Sequence, residues 1–198
     1  MELDHLAVAG RTLDEATTHV EEALGVSMVP GGKHAHFGTH NRLLGLQGGL
    51  YLEAIAIDPS APPPEDARWF DLDRLQGGPH LRNWICRVQD FSAVPEAAGT
   101  PVSLRRGDLR WQMAVPETGI LPFDNLYPAL IRWQGRLHPA ELLPDSGCSL
   151  RRLLVSHPEA EALRAAVARL TDGRVVLTRG PAGLRAEIDT PHGLRVLE

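Results

Sequence analysis

The densest group of side chains able to do chemistry lies in residues 34–41, where His34, His36 and His40 cluster. On an extended strand, residues two apart share a side, so His34 and His36 could face one ion, although a solvated hairpin carries the same spacing. Thr39 and Asn41 also share a strand face and could either hydrogen-bond a ligand or lock a hairpin. Two further groups stand far apart in sequence, His5 in the first apolar run and Glu53 in the run 50–57. An imidazole and a carboxylate suit a divalent first-row ion, yet each is equally at home as a satisfied polar group in a sheet. Trp69, Trp84, Trp111 and Trp133 could line an apolar pocket or fill a core. Cys86 alternates with Trp84 and Val88 and reads as a small buried residue, not a nucleophile. No Gly-x-Ser-x-Gly, phosphate-binding loop or dinucleotide fingerprint is present, which removes several enzyme classes.

These residues sit in a chain of 198 residues, 43% hydrophobic and 23% charged, long enough to bury a core. The formal net charge is -5 and the basic residues are scattered, which argues against nucleic acid as a partner. Cys86 and Cys148 form neither a C-x-x-C pair nor a secreted framework, so a reduced, cytoplasmic compartment is expected. The acidic start does not resemble a signal peptide, and no apolar run approaches the roughly 20 residues of a membrane helix. Lys33 is the sole lysine against many arginines, a composition expected of a G+C-rich, bacterial genome.

Stepping the chain into elements gives a strand at 3–9, then a helix opened by Thr12 and Glu15 as a capping box and closed at Gly25. Strand-like runs follow at 26–29, 35–39 with 42–46, and 50–57, with turns predicted at Pro30-Gly31-Gly32 and Gly48-Gly49. The unit 3–58 is thus βαβββ. A proline-rich linker at 58–64 leads to a short helix predicted over 65–75. A degenerate copy spans 80–136, with strands at 83–88, 102–105, 109–115 and 129–133 and a brief helix or turn near 92–98. A third βαβββ-like unit spans 149–198, with a helix over 159–170 capped by Ser156 and Glu159 and closed at Gly173. The consecutive strands within each unit point to an α+β class.

Leu3-Asp4-His5-Leu6-Ala7-Val8, Gly31-Gly32-Lys33-His34, Gly38-Thr39-His40-Asn41-Arg42 and Tyr51-Leu52-Glu53-Ala54-Ile55 together resemble the N-terminal module of the glyoxalase-like proteins, within the vicinal oxygen chelate superfamily. The resemblance covers residues 3–59 closely and continues more loosely through Trp84, Pro122-Phe123, Ile131-Arg132-Trp133 and His138-Pro139. It implies repeated βαβββ modules curved into a half-open mixed β-barrel, helices outside, around a small-molecule pocket, with the third unit packed on the same barrel. It also implies a divalent metal ion held by residues of first and last module strands, and frequent homodimers. Members act as lyases, isomerases or dioxygenases, or only bind ligands, so the fold does not select the reaction.

On the resemblance, His5 and Glu53 stand where metal ligands are expected, His34 becomes a possible proton carrier and Thr39 and Asn41 orient substrate. Aligning the second unit on the first puts Asn83 and Arg132 where the other two ligands would stand, with Trp133 beside them. Arginine offers only donors, so it cannot ligate a metal, but its fork matches a carboxylate or phosphate. His80 lies near enough to substitute, although Gly77-Gly78-Pro79 reads as an exposed loop. Two functions follow. One is a metal-assisted enzyme with His5 and Glu53 on the ion, Glu53 and His34 as catalytic groups. The other is a metal-free binding protein in which Arg132 clamps a carboxylate-bearing ligand and tryptophans cover its apolar part.

Overall fold

The computed structural model describes residues 1–92 and 94–198. Its first strand, β1 (Glu2–Ala9), is buried continuously from Leu3 because it is the centre of a sheet and is covered on both sides. The helix α1 (Leu13–Leu24) starts as predicted: Thr12 Oγ1 accepts the Glu15 backbone N–H at 3.1 Å. Gly25 ends it in the left-handed conformation at φ 72, which an L side chain would resist. Ala16, Val20 and Leu24 form its buried face, against β1 and the two strands β3 (Thr39–Leu46) and β4 (Leu50–Ile57).

The strand β2 (Val29–His34) contains the Pro-Gly-Gly segment expected to be a turn. Pro30 opposes Arg42 and Lys33 opposes His40, so the glycines form an irregularity inside the strand, and the chain reverses at 35–38 instead. A Cβ on Gly31 would stand 2.0 Å from Asn41 Oδ1, so glycine is needed there to admit the Asn41 side chain.

The second unit contains β5 (His80–Arg87), β6 (Thr100–Arg106), β7 (Leu109–Val115) and β8 (Ala129–Gln134). The element predicted near 92–98 takes in Ala93, which lies outside the described residues; Glu96–Ala98 forms a single 3-10 turn. The eight strands make one mixed sheet in the order β2-β3-β4-β1-β5-β8-β7-β6. β1 pairs parallel with β4, β5 parallel with β8, and β1 antiparallel with β5, so two similar halves join back to back. The sheet curls into a half-barrel with α1 outside, and its edge strands β2 and β6 approach each other. This is the α+β glyoxalase-type architecture.

Between the halves, the helix predicted over 65–75 is reduced to a 3-10 segment, Trp69–Arg74, broken at Phe70 (φ 61) and Asp71 (φ 55). The break is held in place from several sides. Phe70 O accepts from Arg82 Nε and Asn125 Nδ2, the Asp71 carboxylate accepts from Arg74 and Arg82, and Asp71 N donates to Gly119 O.

After α2 (Pro139–Leu142), the strands β9 (Ser149–His157), β10 (Val175–Arg179), β11 (Gly183–Thr190) and β12 (Gly193–Leu197) and the helix α3 (Ala160–Ala166) follow the element order foreseen. They do not join the half-barrel sheet; they form their own sheet in the order β10-β9-β11-β12. The short α3 crossover returns β10 directly beside β9, and β11 takes the other edge, so β9 has no edge left to pair outside its unit. The helix is shorter than predicted and neither expected cap forms: His157 Nδ1, not Ser156, accepts the Glu159 N–H, and the helix ends well before Gly173. The second sheet packs against α1 through β12 and against β5 through β11. Among the described residues, no helix is long and apolar enough to cross a membrane.

Candidate active site

The register of β1 slips at Asp4: Leu3 opposes Cys86 and His5 opposes Ile85, leaving Asp4 as an extra residue. Strict alternation would send neighbouring side chains to opposite faces, but a bulge re-aims them. Asp4 Oδ1 thus meets His5 Nδ1 at 2.7 Å, while Asp4 Oδ2 accepts from Trp133 Nε1 and His138 Nε2, each at 3.1 Å. Asp4 is fully buried, which alone would raise its pKa, but hydrogen bonds from His138 and His5 hold the carboxyl well below the usual range. With Nδ1–H donated to Asp4, the imidazole of His5 presents Nε2 to the interior.

That nitrogen faces Glu53. Glu53 Oε2 lies 3.8 Å from His5 Nε2, although the two residues come from adjacent parallel strands and distant points in the chain. Tyr51, register partner of His5, stacks on its ring with centroids 4.2 Å apart. Burial first, then the Asp4 and Glu53 carboxylates, push the Tyr51 hydroxyl far up, so it stays protonated. Glu53 Oε1 accepts from Asn41 Nδ2 at 2.5 Å. The amide of Asn41 is oriented by its other end, where Oδ1 accepts from Gly32 N at 2.7 Å and from Arg106 Nη1 at 3.2 Å.

His34 donates or accepts at both nitrogens, with Nδ1 3.0 Å from Thr39 Oγ1 and Nε2 3.3 Å from Arg106 Nη1. Burial disfavours its cation and Arg106, His5 and His40 repel it, so its pKa falls to about 3. A neutral His34 accepting from Arg106 does not fit the role of proton carrier; it positions the cavity wall. Thr39, fully buried, bonds His34 and locks the hairpin without lining the cavity. His36 lies in the turn beside Asp66, not on the face of His34, because the strand ends at His34.

The cavity is bounded by these polar groups on one side and by Trp69, Phe70, Trp111, Met113, Ile131 and Trp133 on the other. Its volume is about 30 Å³. The indole Nε1 of Trp69 is buried without a hydrogen-bond partner among the described residues.

The second half supplies neither of the ligands aligned there. Asn83 is buried away from the cavity, bonded to Asn125 through both its amide atoms, which ties down the left-handed run Phe123, Asp124 and Asn125. Arg132 is exposed, reaching only Gln112 Oε1 at 3.4 Å, because Ile131 and Trp133 take the inward positions of β8 and alternation sends Arg132 out. His80 bonds the Gly78 carbonyl in its loop. Arg106 was not singled out from sequence, although Val102, Leu104 and Arg106 alternate with more exposed neighbours and so share the inward face of β6. Asp4 and Tyr51 were passed over as well.

Donors of the kind that hold a divalent ion meet at His5 Nε2 and Glu53 Oε2. Among the described residues no group of three His, Cys, Asp or Glu side chains is arranged so that it could hold a metal ion. A catalytic ion ordinarily takes three protein ligands, so this pair falls one short of such a set.

A profile of the glyoxalase-like domain matches residues 3–171, which spans the half-barrel and reaches past α3. No curated protein matches the chain. Among solved structures, a hypothetical protein from Staphylococcus aureus shares the fold at TM-score 0.59 and 16% identity, over 83% of this chain and 73% of that one. A methylmalonyl-CoA epimerase from Mycobacterium tuberculosis aligns at TM-score 0.44 and 21% identity, over 68% and 88%. A Streptomyces coelicolor methylmalonyl-CoA epimerase gives 0.44 and 13%, over 67% and 97%. With the profile covering most of its length, the chain belongs to the glyoxalase-like domain family.

Proposed function

We propose that this protein is an enzyme of isomerase or lyase type that moves a proton on a small molecule held in the half-barrel cavity. Glu53 and His5 are the exchanging groups, and the units 3–58 and 80–136 build the cavity together with Trp69 and Phe70 from the segment between them, while 149–198 braces it from outside. The observation that carries this reading is the approach of Glu53 Oε2 to His5 Nε2, 3.8 Å apart, at a buried cavity. A carbon acid set against both groups from the cavity side would have a carboxylate and an imidazole within reach of one proton. Asp4 holds the tautomer of His5, and Asn41 fixes Glu53 by its other oxygen, so neither group must reorganise during transfer. Tyr51 offers a protonated hydroxyl to a developing negative charge.

The test uses solvent exchange, which needs no knowledge of the product. The protein is incubated in D₂O with a panel of small 2-oxo acids and hydroxyketones, and loss of the proton beside the carbonyl is followed by NMR. At least one compound should exchange faster than without protein, and Glu53→Gln should slow that exchange by about a hundredfold or more. Binding without acceleration of any compound would overturn the enzyme in favour of a binding protein. A divalent ion at the same pair is the second reading, favoured by the Asp4 hydrogen bond that leaves His5 Nε2 as a free lone pair. Metal analysis of untagged protein, with exchange measured before and after chelation, distinguishes the two.

A further inference from the structure

We propose that Arg106 is the carboxylate-recognising residue of the cavity, and that the molecule it holds is a compact carboxylate with a flat, unsaturated or aromatic body. The inference rests on the cavity being a small-molecule site, but not on proton transfer there.

Arg106 lies at the inward end of β6 and reaches across the gap between the two edge strands of the half-barrel. Its protein contacts, Asn41 Oδ1 at 3.2 Å and His34 Nε2 at 3.3 Å, are both to neutral acceptors and both through Nη1. No carboxylate stands within ion-pair distance of it among the described residues. Arg82 and Arg152, also drawn against the fold, each meet one: Asp71 at 2.9 Å and Glu187 at 2.9 Å. A half-buried guanidinium without a counter-ion is a costly arrangement, offset when an anion binds. Nε and Nη2, the two nitrogens on one side of the fork, carry no protein acceptor among the described residues. They are the pair that grips a carboxylate through two parallel bonds.

The backbone is cut to admit this side chain. A Cβ on Gly32 would stand 2.6 Å from Arg106 Cδ, so the arginine stem lies against bare main chain. Across from it, Trp69, Phe70, Trp111 and Trp133 present ring surfaces, which favour a flat partner over a branched one.

The test compares benzoate with benzamide, its neutral isostere, and with inorganic phosphate, by calorimetry and tryptophan fluorescence on the full chain. Benzoate should bind saturably, and benzamide and phosphate at least about tenfold more weakly. Arg106→Gln should weaken benzoate by about tenfold or more while leaving benzamide unchanged, and the exposed Arg132→Gln should alter neither. Circular dichroism and thermal melting establish that each variant is folded. Equal affinity for benzoate and benzamide, phosphate competing as well as benzoate, no benzoate binding, or full binding by folded Arg106→Gln would each overturn the proposal. Saturable benzoate binding by the natural protein alongside a failed exchange experiment sinks the proton-transfer reading alone.

Discussion

The two halves of the half-barrel have the same strand pattern and divide the work unequally. The first half, β1 to β4, contributes His5, His34, Asn41, Tyr51 and Glu53, every neutral or acidic polar group that lines the cavity. The second contributes apolar walls from Trp111, Met113, Ile131 and Trp133, and one charge, Arg106. Even the counterparts aligned by sequence diverge, with Asn83 spent on a loop and Arg132 turned to solvent. The two halves thus share a strand pattern, which depends on apolar periodicity, while the polar lining of the cavity concentrates in one and the apolar walls in the other.

The halves meet at Asp4, so the most severe way to break the comparison is to remove it. Its carboxylate, fully buried, holds His5 from its own strand, Trp133 from the second half and His138 beyond it. Asp4→Ala leaves three donors without an acceptor, and a loss of about 3–5 kcal/mol is expected. Urea denaturation measures it. A loss no larger than that of an ordinary surface substitution would show that the halves are joined by the sheet alone.

The halves also meet electrostatically, since His34 belongs to one and Arg106 to the other, and pH sharpens that contact. The imidazole of His34 titrates at about 3 in the folded chain against an ordinary value of 6.5. Between those values the unfolded chain binds the extra proton, so the stability this group confers is complete above 6.5 and is lost as pH falls towards 3. Each unit of displacement corresponds to about 1.4 kcal/mol, so the effect amounts to a few kcal/mol. Asp4, held below its ordinary 3.8, adds a second loss in the same direction that sets in only below that value. Thermal midpoints measured across this range should fall throughout in the natural protein. In His34→Gln the upper part of the curve should flatten and the lower part persist; an unchanged upper slope would mean that His34 is not the group responsible.

Much of this architecture was legible because strand periodicity is written in apolar side chains. The strands at 109–115 and 50–57 were bounded correctly from alternation and glycine turns, and the Thr12 cap and Gly25 stop followed from local chemistry. His5 and Glu53 were singled out through the family resemblance, and the fold brings them to one cavity. What failed were features set by single-residue slips and by choices between edges. A bulge at Asp4 turns a residue that alternation sends away into the partner of His5, and no composition signals it. Arg132 was chosen by counting along an alignment, and one position on a strand separates it from the inward Trp133. The unit 149–198 was expected to pack on the barrel; it has a sheet of its own because β10 returns beside β9, and it lies against the half-barrel through β11 and β12.

The finest test of divided labour substitutes the same residue type in each half. Asn83 joins both its amide atoms to Asn125 under the left-handed run at 123–125, so Asn83→Ala should cost about 1–3 kcal/mol of stability. Because it lines no part of the cavity, proton exchange and benzoate affinity should stay as they are. Asn41 bonds Gly32 on one side and Glu53 on the other, so Asn41→Ala frees the carboxylate to rotate and leaves one backbone N–H unpaired. Its stability cost should be about 1 kcal/mol, with exchange slowed by about tenfold or more. If Asn83→Ala slowed exchange as much as Asn41→Ala did, the second half would be carrying chemistry too. The asymmetry would then belong to the side chains' names and not to their work.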